Sequence, residues 1–437
     1  MNDFRKPVGP HAAAPASATA DAIGVGVAGQ APARVALRLV EGGRSARAIL
    51  IILHDFALGG TERIAVRLAN EWARTGSAVR IFTGTATGPL LDLLDPAVRV
   101  VQADTPILRA RGSQWRLARA AAAHVEREGA DGCYIPGNYH WPVAAILSRM
   151  PVERRPVIIS QVSAALTKPQ RGPVRQYFYN VRMRRLLGKV DAMAAMCDPA
   201  RAQTDHILRR VKATTIALPA LDGKVPPPVA PPPFNQTILA AGRLVPEKGF
   251  DTLIAAFARL TMNGRNRTAR LIIVGEGPDR GRLTMLASRL GVADRLTMPG
   301  YVPDIRPWLD RSRIFVLSSR FEGFGAVIVE ALAAGRPVVS TACTPAVNEL
   351  LSDFTSGRVV PIDNPGAMAK AIALMLGAAP SDPVRLAASV ERYRIEPVAK
   401  QYLELFDWIG AARRAENIRL PTAAQYTPRT KIAPSPL

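Results

Sequence analysis

The sequence predicts an α/β chain built as two doubly wound, Rossmann-like domains facing each other across a cleft. Three observations carry that prediction. Short apolar runs alternate with stretches whose apolar residues recur at helical spacing, as expected of parallel strands covered on both faces. The alternation starts afresh after KVPPPVAPPPFNQ (224–236), whose prolines suit neither a central strand nor a helix interior and so mark a linker. Glycine-rich turns follow several of the apolar runs, and ligands of open α/β sheets are received at those strand ends.

In the first lobe, ARAILIILHD (46–55) reads as a strand closed by a His-Asp pair and then Gly59-Gly60. TERIAVRLANEWARTG follows with helical spacing, Thr61 as its N-cap and Gly76 as its stop. AVRIFTG (78–84) is the next strand, completing a βαβ unit. In the second lobe TILAAGRL (237–244) reads as a strand, FDTLIAAFARL (250–260) as a helix, ARLIIVGEGP (269–278) as a strand and turn, and RGRLTMLASRLG (280–291) as a helix. RIFVLSS (313–319) is another strand. RFEGFGAVIVEALAAGRPVVST (320–341) then gives a turn, a helix stopped by Gly335 and Pro337, and a further strand. These elements divide the chain into a first domain over 47–223, the linker, and a second domain over 237–389. Residues 1–46 and 416–437, biased in composition and without sustained period, read as disordered tails.

A chain of 437 residues that is 48% hydrophobic can bury two ordinary cores. Its net charge of +22 calls for an anionic partner: nucleic acid, a membrane surface or a phosphorylated substrate. No RNP stretch, zinc-finger spacing or helix-turn-helix signature is present, so no specific nucleic acid is expected. The three cysteines, Cys133, Cys197 and Cys343, are far apart, which suggests neither a disulfide framework nor a metal site. With no secretory leader and no span of about twenty apolar residues, a cytoplasmic location is expected, with peripheral attachment to a membrane as an option.

Four stretches carry chemistry. Glu322 follows a strand, Gly323 and Gly325 allow a sharp turn, and Glu330 lies about one turn into the next helix. Helix-terminal amides there suit an anion, and carboxylates suit the vicinal hydroxyls of a sugar or ribose. The alternative is that Glu322 merely caps the helix while Glu330 faces solvent. GRLVPEKGFDTLI (242–254) places Arg243 and Lys248 between a strand and a helix, where two cations can neutralise a diphosphate leaving group without a metal, or can simply be solvated loop residues. Gly59-Gly60 either admits a phosphate or sugar to the backbone or makes a tight turn. VGEGPDRG (274–281) is a weak match to a dinucleotide fingerprint, its third glycine being misplaced.

Taken in order and spacing, GRLVPEKGFDTLI, VGEGP, PGYVPD (299–304) and the Glu322-x7-Glu330 stretch resemble the retaining glycosyltransferases of family 4 (GT4), which have the GT-B fold. The resemblance covers about 47–415 and is stronger in the second lobe; it implies an acceptor-side first domain over 47–223 and a donor-binding second domain over 237–389. It implies that Arg243 and Lys248 hold the diphosphate of a UDP- or GDP-sugar donor and Glu330 the ribose. Glu322 with the backbone of Phe324 and Gly325 would take the transferred sugar, and the backbone of Val302 the base. Gly275 would belong to the same donor site, and Gly59 and Gly60 would close on it from the first lobe. VERYRIEPVAKQYLELFDWIG (390–410) looks like the family's terminal helix, crossing back onto the first lobe over 390–415. Family members often carry a histidine after the strand matching DGCYIP (131–136). Here His140 either takes that catalytic place or lies on a helix surface. IALPALDG (216–223) departs from the family's asparagine-glycine turn.

The implied reaction is metal-independent transfer with retention, with no cofactor beyond the sugar nucleotide and no protein nucleophile. The acceptor would be a glycan or a polyprenyl-linked sugar, in cell-surface polysaccharide or lipopolysaccharide biosynthesis. A nucleotide-sugar epimerase and a non-catalytic sugar-nucleotide-binding assembly partner are the alternatives. Arg154, Arg155, Lys168, Arg171, Arg175, Arg182, Arg184, Arg185 and Lys189, interleaved with Tyr177, Phe178, Tyr179 and Leu186-Leu187, could lie on an anionic membrane surface or form a solvated basic face.

Overall fold

The computed structural model describes residues 47–167, 171–223, 225–232, 234–262 and 264–415. The expected disordered tails, and Lys168 of the basic stretch, lie outside the described residues. The first lobe is a sheet of seven strands: β1 (Ala48–Leu53), β2 (Ala78–Thr83), β3 (Arg99–Gln102), β4 (Gly132–Ile135), β5 (Val157–Val162), β6 (Ala192–Ala195) and β7 (Ala213–Thr215). The second has six: β8 (Thr237–Ala241), β9 (Arg270–Val274), β10 (Leu296–Gly300), β11 (Ile314–Leu317), β12 (Val338–Thr341) and β13 (Gly357–Val360). Every neighbouring pair is parallel.

The strand orders are 3-2-1-4-5-6-7 and 10-9-8-11-12-13. In each sheet the winding reverses once, between β1 and β4 and between β8 and β11. At such a reversal the connections on either side leave in opposite directions, and a crevice opens at the carboxyl ends of the two strands.

Period-two alternation fills both faces of the first sheet. Ile49, Ile51 and Leu53 join one buried cluster, while Leu50 and Ile52 join the cluster on the opposite face. The first of these clusters runs on into the second lobe through Leu239, Phe315, Leu317 and Phe324, so the two sheets share a continuous apolar region. The helix Ile395–Ala415 returns to the first lobe: Trp72 Nε1 donates to Ala399 O at 3.0 Å, and Tyr402 packs edge-on against Trp72 and Tyr134. Beside this crossing the chain passes between lobes a second time, where Leu221 N donates to Tyr393 O at 3.1 Å and Ile395 N to Leu221 O at 2.9 Å.

The proline-rich linker is fastened to the second lobe. Arg306 donates to the carbonyls of Pro226 and Pro227, and Arg336 Nη1 donates to Val229 O at 2.6 Å. Arg336 is fully buried with no carboxylate partner among the described residues; its other donors go to Leu309, Gly335 and Asp310 carbonyls, and burial lowers its pKa to about 10. One local expectation fails. The first long helix spans Gly60–Arg74 with Gly59 as its N-cap, so Thr61 lies inside the first turn rather than capping it. With glycine at the cap, the cap residue offers the leading amides no side-chain acceptor.

Glycine in VGEGP has a packing reason. Gly275 has φ +141°, and a Cβ there would lie 1.9 Å from Gly242 O, while one at Gly277 would lie 2.4 Å from Leu244 O. The turns after β8 and β9 therefore touch through backbone alone. Gly275→Ala should cost on the order of 3 kcal/mol or more by urea unfolding. Gly291→Ala, at φ +68° with nothing within 4 Å of the new methyl, should cost only about 1 kcal/mol. Equal losses would mean that close approach is not what Gly275 provides.

Candidate active site

The crevice of the second sheet is lined by the turns after β8 and β11. Strand pairing places these turns side by side, and three features lock them. Gly249, at φ +61°, lies so close to Ser318 that a Cβ would meet its carbonyl oxygen at 2.2 Å; Ser318 Oγ donates to Lys248 O at 2.8 Å; and Arg320 N donates to Glu247 O at 2.8 Å. The Arg320 guanidinium adds contacts to Pro246 O, Asp251 and Asp363.

This packing brings Lys248 and Glu322 together. Lys248 Nζ donates to Glu322 Oε1 at 2.6 Å, and Ser319 Oγ donates to the same oxygen at 2.6 Å. Residues assigned to two parts of a ligand are thus direct partners of one another. Glu322 N donates to Cys343 O at 3.1 Å, which fixes the turn, and both side chains stay accessible, at 26% for Lys248 and 15% for Glu322. Arg243, on the same turn as Lys248, is exposed and makes no ion pair among the described residues.

The helix Ala326–Ala333 starts immediately after Gly325, whose φ of +88° turns the chain into it. Phe324 is buried against Tyr393, which aims the backbone rather than the ring of this turn at the crevice. Glu330 is half-buried, and burial pushes its pKa up to about 7 against the pull of Arg67 and Arg63. Those arginines belong to the helix Gly60–Arg74 of the first lobe, so Glu330 faces across the cleft. Glu330 therefore does not occupy the solvated helix face that its spacing also allowed. Val302 is partly buried beyond Gly300, whose φ is +93°, at the end of β10. Gly275 N is spent on Gly300 O at 2.8 Å, so this glycine contributes close approach rather than a free amide.

In the first lobe the corresponding crevice lies between the ends of β1 and β4. Gly59 and Gly60 start their helix there. His140, in the 3-10 turn Asn138–His140, is 1% exposed and therefore not on a helix surface. Its Nδ1 lies 2.8 Å from Pro136 O, its Nε2 has no hydrogen-bond partner among the described residues, and burial lowers its pKa to about 4. The neutral ring then carries its proton on Nδ1 and presents Nε2 as an acceptor.

Sequence reasoning missed the group beside it. Arg109, from the loop after β3, donates through Nη2 to Asp55 Oδ1 at 2.9 Å and to Glu62 Oε1 at 2.6 Å, and through Nε to Asp55 Oδ2. Its guanidinium lies 4.9 Å from the centroid of the Tyr139 ring. Burial opposes a charge on Asp55, yet the bonds from Arg109 and from Ala57 N hold its pKa below the usual value. The His-Asp pair at the end of β1 was the one signal pointing here.

The turns of the two lobes meet. A Cβ on Gly323 would stand 2.3 Å from Ser163 O, and Ser163 Oγ in turn accepts from Asn138 N at 3.0 Å. The basic stretch of 154–189 is less uniform than its composition. Arg155 is buried against Asp191, which Arg413 also contacts, and Arg184 Nε donates to Ile207 O at 2.6 Å. Val174, Tyr177 and Phe178 are the exposed apolar residues of the helix Gly172–Leu187.

Comparison with known proteins agrees with this architecture. Residues 235–377 match the family model "Glycosyl transferases group 1", and residues 59–219 match "Glycosyl transferase 4-like domain". The lipopolysaccharide core biosynthesis glycosyltransferase LpsE of Rhizobium meliloti is 38% identical over 135 residues, 31% of this chain and 38% of that protein. D-inositol 3-phosphate glycosyltransferase 1 of Catenulispora acidiphila is 28% identical over 390 residues, 82% of this chain and 89% of that one. The chain spans less than two-fifths of the length of the first curated relatives it matches, 38% and 36%. Among solved structures, Anabaena Alr3699/HepE in complex with UDP and glucose aligns with a TM-score of 0.65 at 18% identity, over 83% of this chain and 99% of that one. WaaG, a glycosyltransferase involved in lipopolysaccharide biosynthesis, aligns with a TM-score of 0.59 at 16% identity, over 82% and 99%. These likenesses show the GT-B fold.

The raised pKa of Glu330 gives two opposite expectations. Between the ordinary carboxylate value of 4.5 and about 7 the folded chain holds a proton that the unfolded chain has lost, so this group makes stability fall as pH rises. Glu330→Gln should therefore gain up to about 3 kcal/mol at pH 8 and nothing at pH 4. Nucleoside diphosphate affinity, corrected for the ligand's own titration, should weaken in the native chain as pH falls through about 7, because the acid loses acceptor capacity, and should be flat with pH in the variant. A native profile flat across this range would separate Glu330 from the ribose.

Proposed function

Since the chain belongs to the group 1 glycosyl transferases and has their GT-B fold, we propose that it transfers a sugar with retention from a nucleoside diphosphate sugar to a hydroxyl of a glycan or lipid-linked acceptor. The observation that supports this most directly is the pairing of Lys248 with Glu322 at the reversal of the second sheet, on a turn that also carries Arg243, which makes no ion pair among the described residues. Relatives and neighbours named for lipopolysaccharide biosynthesis favour a cell-surface glycan as the product, and neighbours in complex with UDP favour a uridine donor. No observation favours an epimerase or a non-catalytic binding partner.

In this reading the bond from the anomeric carbon to the β-phosphate oxygen breaks as the bond from that carbon to the acceptor oxygen forms on the same face. The acceptor proton passes to the departing phosphate, so charge and atoms balance without a protein nucleophile. Lys248 and Arg243 stabilise the growing negative charge of the diphosphate, which is the work a divalent cation would otherwise do. Glu322 exchanges part of its bond with Lys248 for hydroxyls of the sugar. The carboxylate also keeps the ammonium in place before the donor arrives, so little reorganisation is needed.

Delivery by a membrane fits the helix Gly172–Leu187. Val174, Tyr177 and Phe178 stand exposed there among Arg175, Arg182 and Arg185. Aromatic rings that enter the headgroup layer beside arginines give both apolar and electrostatic attraction. No helix among the described residues is long and apolar enough to cross a membrane.

Calorimetric titration of UDP, GDP and ADP should find one that binds, and the corresponding sugar nucleotides should then be cleaved. Lys248→Ala should lower kcat/KM by about 10²–10³, the loss of one donor to a developing oxyanion; unchanged kcat/KM would remove Lys248 from the leaving-group site. The protein should cosediment with vesicles containing phosphatidylglycerol and not with pure phosphatidylcholine. Replacing Tyr177 and Phe178 by alanine should weaken that binding several-fold, and equal binding to both vesicles would leave the helix as a solvated basic face.

A further inference from the structure

Arg320 stands two residues before Glu322 and has no place in the transfer scheme, yet it reaches both turns of the second crevice. The 3-10 turn Pro246–Lys248 contains no buried residue, so apolar packing does not hold it. Its three carbonyls are instead each taken by the turn after β11. Pro246 O accepts from Arg320 Nη1, Glu247 O from Arg320 N at 2.8 Å, and Lys248 O from Ser318 Oγ at 2.8 Å. Arg320 supplies two of these three bonds, one through its backbone and one through its side chain.

The guanidinium is itself held. Nη2 donates to Asp251 Oδ2 at 3.1 Å, in the first turn of the helix Phe250–Thr261, and Nε lies 2.8 Å from Asp363 Oδ1 beyond β13. Burial opposes a charge on Asp251, yet the bonds from Arg320, Thr252 N and Arg282 keep its pKa below the usual value. Asp363 has φ +54°, one of three non-glycine residues with positive φ among the described residues, and its carboxylate also accepts from Thr252 Oγ1 at 3.1 Å. Each nitrogen of the fork thus has a partner on a different segment, which fixes its plane as the point charge of a lysine would not. Asp363 is 52% exposed, and as a surface pair alone it would contribute little. The bond to Pro246 O is what ties this network to the Lys248 turn.

In the transfer scheme Glu322 gives part of its bond with Lys248 to hydroxyls of the sugar. The aim of the ammonium then depends on the backbone that carries it, and misplacement by about 1 Å can cost about 10²-fold in rate. We propose that Arg320 is a positioning residue for transfer: held flat by Asp251 and Asp363, it keeps the Pro246–Lys248 turn in place, and so keeps Lys248 aimed at the leaving diphosphate while Glu322 engages the sugar. Arg320 acts through Lys248 and is not itself a ligand of the donor. The part played by Lys248 rests on the transfer reading above; the hold of Arg320 on the turn does not.

Two measurements decide it, on the full chain as native protein, Arg320→Gln, Arg320→Lys and Arg282→Gln. Arg282 is the other arginine on Asp251 and has no bond to the turn among the described residues. Hydrogen exchange of the peptide spanning residues 245–252 needs no substrate; it should quicken about five-fold or more in both Arg320 variants and stay native in Arg282→Gln. Should the Arg320 variants fold poorly, Asp363→Asn, which removes only a charge, should give the same changes at smaller size. The second measurement is cleavage of UDP-glucose, UDP-galactose and UDP-N-acetylglucosamine. Arg320→Gln and Arg320→Lys should lower kcat about 10- to 100-fold with KM within about three-fold. On a Lys248→Ala background Arg320→Gln should cost less than about three-fold more, since the group it positions is gone. Native exchange rates in the variants overturn the proposal, as does a native kcat, and so does a loss just as large without Lys248. If the native protein cleaves no sugar nucleotide, or Lys248→Ala cleaves as well as native, the transfer reading fails, and exchange alone decides whether Arg320 holds the turn.

Discussion

The second lobe's chemistry depends on β8 and β11 lying side by side although more than seventy residues of chain separate them. Ile238 pairs with Ile314 and Leu239 with Phe315, all fully buried. Burial on both faces leaves these strands no slack in register, because a slip of one residue would exchange their two apolar faces. That register carries Gly249 against Ser318 and so sets Lys248 within reach of Glu322. A bond of 2.6 Å between two loops is thus fixed by core packing rather than by the loops themselves.

The same dependence governs the way the lobes communicate. With the linker tied by Arg306 and Arg336 to the second lobe, prolines 226 and 227 do not act as a loose tether. Rotation of one lobe on the other must instead be absorbed near Leu221 and Arg394, where two strands of chain cross together. Hinges of this kind need few residues, because two adjacent crossings define an axis. The terminal helix on Trp72 and Tyr402 anchors one side of that axis, and the contact of Gly323 with Ser163 marks how closely the other side approaches.

Much of this was legible in the sequence, for reasons that can be named. Strand and helix periodicity is local, and Arg243, Lys248 and Glu322 each follow a strand end by two to seven residues while Glu330 lies one turn into the next helix, so their arrival at one edge follows from the fold class. What stayed hidden depends on distance or on facing. Arg109 meets Asp55 from 54 residues away, across β2 and β3, and no local pattern marks it. His140 lies in a short 3-10 turn, where spacing does not show whether a ring points to solvent or core. Arg155 was counted as surface charge because its partners Asp191 and Arg413 are 36 and more residues away. Glycine in VGEGP read as a weak phosphate motif, whereas its evident work is contact with Gly242 and Leu244.

The net charge of +22 suggests a protein that attracts anions everywhere, but the site distributes charge more selectively. Lys248 is held by Glu322, and Arg109 by Asp55 and Glu62, so the cleft meets a ligand with cations already oriented and mostly neutralised. Glu330 is the reverse case, a carboxyl kept near neutrality by burial although Arg63 and Arg67 face it. Holding an acid in that state costs stability at neutral pH. In the proposed transfer reading a hydroxyl-bearing ligand resolves the conflict, since it supplies hydrogen bonds to ionised Glu330 and makes its charge tolerable. In the proposed transfer reading, a carboxyl that burial holds against its ordinary ionisation thus lies at the edge that takes the donor, as expected where binding energy is drawn from polar groups that the fold alone leaves poorly solvated.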